Sequence, residues 1–301
     1  MKTTTKHFTT YGNLGLVQVR VEPETNFRFS PAGPEMKSGG LLISESTDSG
    51  IVGKLIALNN TEFHLLLTDA DVLIGAKQNR VLNKSVLLAP MSKTILDVSC
   101  IERGRWQYAG KNFTSPSNVV NPDLRKEKAA SIARKKMKPE NIFEDTQSKV
   151  WSHVSRKMSE MSYENATESY SSMLSFHMDR IAGDFPECEP EKDCNCLAVV
   201  LGPKVICADI FGTAEAYKYY FPMLRDSAFR MAKPGKEIKS PDMHEAFYRV
   251  LDTLDAFEAV QRHPDEAYTG AGEFKIAEND LMVGFELISG GEIIHDVLFT
   301  K

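Results

Sequence analysis

The sequence lacks most of what would place it outside the ordinary globular class. No stretch approaches the roughly 18 uninterrupted apolar residues of a membrane span. The opening MKTTTKHFTTYGNLGLVQV has no continuous apolar core of signal-peptide length. There is no excess of basic charge: 36 Lys and Arg stand against 41 Asp and Glu, a net charge of −5. A generally basic nucleic-acid coat is thereby excluded, because tracking phosphates needs a positive surface. The five cysteines are odd in number, which argues against a complete disulfide framework and for a cytoplasmic chain. Short signatures are missing too. There is no GxxxxGK[ST] loop, no G-x-S-x-G elbow, and Gly270-Ala-Gly272 lacks the third glycine of a dinucleotide fingerprint. His244-Glu245 starts like a zinc-protease motif, but Tyr248 stands where the second histidine must be. Cys188, Cys194 and Cys196 lack the paired spacing of a closed zinc site, so no metal is expected, and their acidic setting reads as a surface loop.

What is present falls into three compositional parts. Residues 1–113 are short apolar runs cut by Gly, Asn and Pro, the pattern of successive strands with turns. Residues 114–262 are mostly helical, with LAVVLGPKVICADIFG as a hairpin over about 197–210 and Thr213 as the cap of the helix after it. Ser240-Pro241 reads as the start of the next helix and His263-Pro264 as its end. Residues 263–301 alternate as strands around Gly290-Gly291. The expected fold is α+β: a β-rich, sandwich- or roll-like N-terminal half, a helical middle, and C-terminal antiparallel strands returning to the core, in one compact unit.

The run NPDLRKEKAASIARKKMK carries Arg125, Lys126, Lys128, Arg134, Lys135, Lys136 and Lys138 among few apolar residues. It reads as a solvated helix or linker, mobile and open to trypsin. A nucleic-acid partner would have to use this patch, which has no aromatics for stacking, so that partner is disfavoured.

Two segments break the strand pattern. Ile74-Gly-Ala-Lys-Gln-Asn-Arg-Val-Leu-Asn83 inserts polar side chains into an apolar run, with a glycine that permits close backbone approach. Val98-Ser-Cys-Ile-Glu-Arg-Gly-Arg-Trp106 does the same one strand pair later. Lys77, Arg80, Arg103 and Arg105 supply cations, and Arg suits bidentate recognition of phosphate or carboxylate. Gln78, Asn79 and Asn83 suit a sugar or base, and Trp106 offers a stacking face. The structural alternative is an ion-pair lattice that locks strands to helices.

GAKQNRVLN followed by VSCIERGRW resembles the family named for association with ADP-ribosylglycohydrolase and rhodanese-phosphatase proteins, formerly a domain of unknown function. TQSKVWSHV, CADIFG and the closing IIHDVLF are similar to it as well, so the resemblance runs from about Gly15 to Phe299. The resemblance implies company with enzymes that remove ADP-ribose or phosphate, which is association rather than mechanism.

Three side chains are candidates for chemistry. Cys100 as a nucleophile would need a base such as His295 and an electropositive setting, whereas a cysteine near a strand end is more often a buried hydrophobe and a histidine alternating inward more often a satisfied core residue. Glu102 could serve as acid or base, although the neighbouring arginines lower a carboxylate pKa and blunt it as an acid. The least demanding expectation is binding of an ADP-ribose-like or phosphorylated nucleotide ligand by Lys77, Gln78, Asn79, Arg80, Asn83, Arg103, Arg105 and Trp106, with hydrolysis as an extension. The alternative is a non-enzymatic scaffold. The sequence names no cofactor, points to no membrane partner, and leaves a homo-oligomer open.

Overall fold

The computed structural model describes residues 2–47, 49–114, 119–134, 142–232 and 240–301. Its first strands are β1 (Lys2–Tyr11), β2 (Leu14–Glu22), β3 (Phe29–Pro31), β4 (Leu41–Glu45), β5 (Lys54–Asn59) and β6 (His64–Leu67). There follow β7 (Val72–Gly75), β8 (Arg80–Leu82), β9 (Val86–Leu88), β10 (Ser92–Cys100) and β11 (Phe113–Thr114). Past the helical middle come β12 (Cys196–Leu201), β13 (Lys204–Phe211), β14 (Arg262–Pro264), β15 (Glu273–Glu278), β16 (Met282–Ser289) and β17 (Glu292–Thr300). The helices are α1 (Ala32–Ser38), α2 (Pro122–Ala133), α3 (Ile142–Glu160), α4 (Tyr170–Ile181), α5 (Ala214–Phe229) and α6 (Met243–Glu258). The fold is α+β with almost wholly antiparallel sheets.

The chain forms two compact units. One comprises Met1–Phe27, Ile181–Glu266 and Gly272–Lys301; the other comprises Arg28–Arg180 and Ala267–Ala271. Each of the three compositional parts of the sequence therefore contributes to both units.

The first unit is built on an eight-stranded sheet in the order β1-β2-β12-β13-β17-β16-β15-β14. Strand β2 shows why the sheet is covered on both faces. Val17, Val19 and Val21 point to a core shared with Val250, Leu254 and Phe257 of α6. On the other face, the side chain of Gln18 accepts from the Tyr217 hydroxyl of α5 at 2.7 Å. A strand buried on both faces reads as a near-continuous apolar run, as LGLVQVRV does. The hairpin forms as expected, and the Thr213 hydroxyl accepts from the Ala216 N–H at 3.2 Å to cap α5. Helix α6 starts later than Ser240-Pro241. Its cap is Asp242, whose carboxylate accepts from the Glu245 N–H at 3.0 Å. The helix also stops short of His263-Pro264, which belongs to β14 and pairs with β15.

The cysteine-rich stretch is a surface loop as far as Asn195, with Glu187, Glu189, Glu191, Lys192 and Asp193 exposed, but its cysteines turn inward. Cys188, Cys194, Cys196 and Cys207 are all buried. For Cys196 the reason is register: it opens β12, which lies between β2 and β13 inside the sheet. Burial pushes the thiols of Cys188, Cys194 and Cys196 up, Cys194 to about 11.

The second unit holds a six-stranded sheet, β11-β7-β8-β10-β5-β4, and a three-stranded one, β3-β6-β9. Val72, Val81 and Ile101 form one core with Leu124 of α2, Val150 and Val154 of α3, and Tyr170 and Met173 of α4. Leu73, Leu82, Leu96 and Val98 face a separate core between strands.

Helix α2 corrects the reading of the basic run. Asn121 accepts from the Leu124 N–H at 3.0 Å and Pro122 takes the first turn, so the helix is properly started. Arg125 and Lys128 are then only 1% exposed. Nε and Nη2 of Arg125 donate to the two carboxylate oxygens of Asp69 at 2.9 and 2.8 Å. Lys128 Nζ donates to the Asp69 carbonyl at 2.6 Å and to that of Leu82. Cations three residues apart share a helix face with Leu124 and Ile132, and Asp69 gives that face a charge to bury against. Lys135, Lys136 and Lys138 lie outside the described residues.

Candidate functional site

The two polar segments meet at one end of the six-stranded sheet. Strand β8 pairs with β10 so that Arg80 faces Cys100, and β7 turns into β8 through Gly75 and Ala76. Gly75 has φ +134, and a Cβ there would lie 2.8 Å from the Asn112 carbonyl, so only glycine fits. Ala76 follows at φ 40, an unusual value for a residue with a side chain. This tight turn aims the next four side chains inward.

Asn79 is the hub. Its N–H donates to Glu102 Oε2 at 3.1 Å, and its Oδ1 accepts from the Gly75 N–H and from Arg105 Nη2, both at 3.1 Å. Its Nδ2 donates to the Ser171 hydroxyl at 2.7 Å, and its carbonyl accepts from the Ile101 N–H. Gln78 Nε2 donates to the Glu102 carbonyl at 3.0 Å, while its Oε1 accepts from Arg80 Nη1 at 2.9 Å. Arg105 donates to Glu102 at 2.6 Å and to the carbonyl of Ala76 at 2.7 Å. Both amide side chains are thus fully used within the protein.

Charge in the cluster is unequal. Lys77, Arg80 and Arg105 face Glu45 and Glu102, which leaves one positive charge in excess. Arg80 is fully buried, and its Nη2 comes no closer than 3.9 Å to Glu45. Among the described residues, Nε and Nη2 of Arg80 and Oε2 of Glu45 have no hydrogen-bond partner. Burial pulls the Arg80 guanidinium below its ordinary value, against the opposing pull of Cys100 and Glu45.

Aromatic rings close the outer edge. Lys77 Nζ donates to the Ser49 carbonyl at 2.7 Å and lies 5.4 Å from the Trp106 ring centre and 5.0 Å from that of Tyr108. The Arg80 guanidinium lies 5.7 Å from the Trp106 ring. Trp106 is 43% exposed and Tyr108 53%, so both rings present a face to solvent. Tyr108 also lines an open groove of about 760 Å³ with Glu45, Thr47 and Lys111.

The candidates for chemistry are poorly placed for it. Cys100 is fully buried, its Sγ donating to the Glu102 carbonyl at 3.3 Å. Burial pushes the thiol up, and nearby Arg80 only partly offsets this. For Glu102, burial opposes ionisation, but hydrogen bonds from Arg105 and the Asn79 N–H outweigh it and hold the carboxyl below the usual range. His295 belongs to the other unit, where its ring lies 3.3 Å from Asp209. Two further candidates leave the cluster: Arg103 lies over the Trp151 ring at 5.3 Å, and Asn83 bonds Ser99 and lines a different cavity.

Residues that the sequence reading missed include Glu45, Tyr108, Ser171 and Gln147, whose side chain accepts from the Cys100 N–H at 2.7 Å. Tyr108 was recoverable, since Trp106-x-Tyr108 puts two rings at alternate positions of one extended stretch. Nothing local marks Glu45, which reaches the site through its place on β4.

A family model described as the ARG and Rhodanese-Phosphatase-superfamily-associated Protein domain matches residues 2–299. The chain belongs to this family. The match spans both units, so the ARG- and rhodanese-phosphatase-associated domain is the two units together. No curated protein and no solved structure matches the chain.

Proposed function

We propose that the chain binds a ligand joining an anionic group to a planar ring, of the ADP-ribose or phosphorylated-nucleotide class, at the edge formed by Lys77, Arg80, Trp106 and Tyr108. Arg80 carries the reading. A buried guanidinium with two unpartnered nitrogens is costly, and a ligand oxygen is the acceptor that would satisfy it once the Trp106 ring moves aside. The excess positive charge supports an anion, and two exposed rings beside a lysine support a base. The family's company with ADP-ribosylglycohydrolases agrees with this ligand class and adds no mechanism.

Hydrolysis is not part of the proposal. A thiol pushed up by burial is a weak nucleophile, and a carboxyl held ionised cannot donate a proton. Five free cysteines suit a reducing, cytoplasmic setting, and no helix among the described residues is long and apolar enough to cross a membrane. The scaffold reading keeps one observation in its favour, the complete internal use of Gln78 and Asn79.

Calorimetric titration with ADP-ribose and with ADP tests the proposal. Both should bind, and Trp106→Ala and Tyr108→Ala should each weaken binding about tenfold, the scale of one lost base stack, with little change in the unliganded Tm. Failure of both ligands to bind, or binding indifferent to both rings, leaves the polar cluster as a lattice.

A further inference from the structure

Glu45 stands beside the Trp106 ring with half of its carboxylate unused. Its side chain is only 3% exposed. Oε1 accepts from the Lys77 N–H at 3.2 Å, whereas Oε2 is buried and has no hydrogen-bond partner among the described residues. Gly50 locates that oxygen: a Cβ there would lie 3.3 Å from Glu45 Oε2, 3.2 Å from Trp106 Cζ2 and 3.2 Å from Lys77 Cδ. Glu45 Oε2 and the edge of the indole thus border one point, and φ +76 at Gly50 favours the glycine that leaves it clear. Arg80 Nη2 lies 3.9 Å from the same carboxylate, beyond the roughly 3.2 Å of an N–H···O bond. Neither it nor Arg80 Nε has a partner among the described residues. A buried acceptor and two buried donors therefore stand unsatisfied beside one ring, and that ring is 43% exposed and belongs to no helix or strand.

We propose, resting on the binding reading already given, that Glu45 Oε2 and Arg80 together hold the ribose diol of the nucleotide ligand, so that the site selects ribonucleotides with both sugar hydroxyls free. The group that meets this pair must bring lone pairs for Arg80 and an O–H or N–H for Glu45. A phosphate brings lone pairs and negative charge, and an anion drawn to Arg80 Nη2 would also meet the Glu45 carboxylate, a like charge away from water. Each hydroxyl of a ribose both donates and accepts. One donates to Glu45 Oε2 in a charge-assisted bond, and its neighbour accepts from Arg80 Nη2. The same pairing of an acid with a ribose hydroxyl serves dinucleotide-binding folds. The base is left for the exposed faces of Trp106 and Tyr108, and the phosphate for Lys77 Nζ, 5.4 and 5.0 Å from the two ring centres.

Calorimetric titration of the full chain with ADP and with 2′,3′-dideoxy-ADP is the test. ADP should bind about tenfold more tightly than the dideoxy compound, the effect of one charge-assisted hydrogen bond. Glu45→Gln keeps the shape and an oxygen for the Lys77 N–H but turns an amide donor toward the sugar. It should weaken ADP about tenfold, leave dideoxy-ADP unchanged and so erase the preference. A purely structural role for Glu45 would weaken both nucleotides alike. Equal binding of ADP and its dideoxy analogue, or a preference that survives in Glu45→Gln, overturns the diol while the anion-and-ring reading stands. Absence of ADP binding also overturns it, and with ADP-ribose silent as well the binding reading falls too. Should Glu45→Gln fail to fold, the two nucleotides on the unsubstituted chain decide the matter.

Discussion

Two asparagines four residues apart, Asn79 and Asn83, read alike in the sequence and meet different partners. Asn79 ties the turn, Arg105 and Ser171 together, whereas Asn83 accepts from Ser99 and lines a separate cavity. Composition places polar residues in an apolar run, but only the turn at Gly75 and the pairing of β8 decide which partners each one meets. The same holds for Glu45, whose link to the Lys77 N–H at 3.2 Å joins residues far apart in the chain. Cys100 illustrates what was legible: a cysteine at a strand end reads as a packed hydrophobe, and it is fully buried. We therefore expect iodoacetamide at about pH 8 to modify Cys100 in the native chain roughly a hundredfold more slowly than in the urea-unfolded chain, with peptide mapping as the measurement. Cys100→Ser should leave ADP-ribose binding intact; loss of binding would mean that the thiol contributes to the site.

At the scale of elements, strands and helices were legible wherever apolar spacing fixed them. Val150, Val154 and Met158 of α3 share a face by period alone, and all three are buried. Helix α2 escaped because its buried face is made of cations. Hydropathy counts Arg125 and Lys128 as surface, and the Asp69 that lets them be buried lies in a distant loop. Arg125→Ala should destabilise the protein by about 3–5 kcal/mol, since it strands a buried carboxylate, and urea unfolding measures it. Exchanging both partners for apolar residues of similar size should recover much of that loss. Trypsin should leave the bonds after Arg125 and Lys128 intact in the native chain; early cleavage there would show that α2 undocks.

For the whole molecule, Lys128 links stability to pH. Burial lowers its pKa from 10.5 to about 7, so above that pH the folded chain has released a proton that the unfolded chain still holds. The contribution of Lys128 to stability then rises with pH, by at most about 1.4 kcal/mol per unit. Between about pH 7 and 8 ordinary α-amino groups and unfolded-state thiols also begin to titrate, so the part due to Lys128 is read as the difference between the unsubstituted chain and Lys128→Met. Denaturant midpoints across that window should climb for the unsubstituted chain and climb less for Lys128→Met. Equal slopes would show that Lys128 stays charged in the fold. The division into two units was not legible, because each gathers stretches far apart in sequence and local periodicity carries no information about such partnerships.

The position of β17 between β13 and β16 has a consequence for how the chain is made. During synthesis β1 and β2 emerge first, but the neighbour of β2 is β12, and the strand that joins β13 to β16 is the last of the described strands to appear. The eight-stranded sheet cannot be assembled as it is translated; it must wait, half-paired and with apolar edges open, until Glu292–Thr300 has left the ribosome. Meanwhile nearly all of the second unit, Arg28–Arg180, has already been delivered and lacks only the short stretch Ala267–Ala271. A nascent chain from which Ala267–Ala271 but not Glu292–Thr300 has emerged would therefore carry one fully delivered unit and one open sheet, the species on which a chaperone would act.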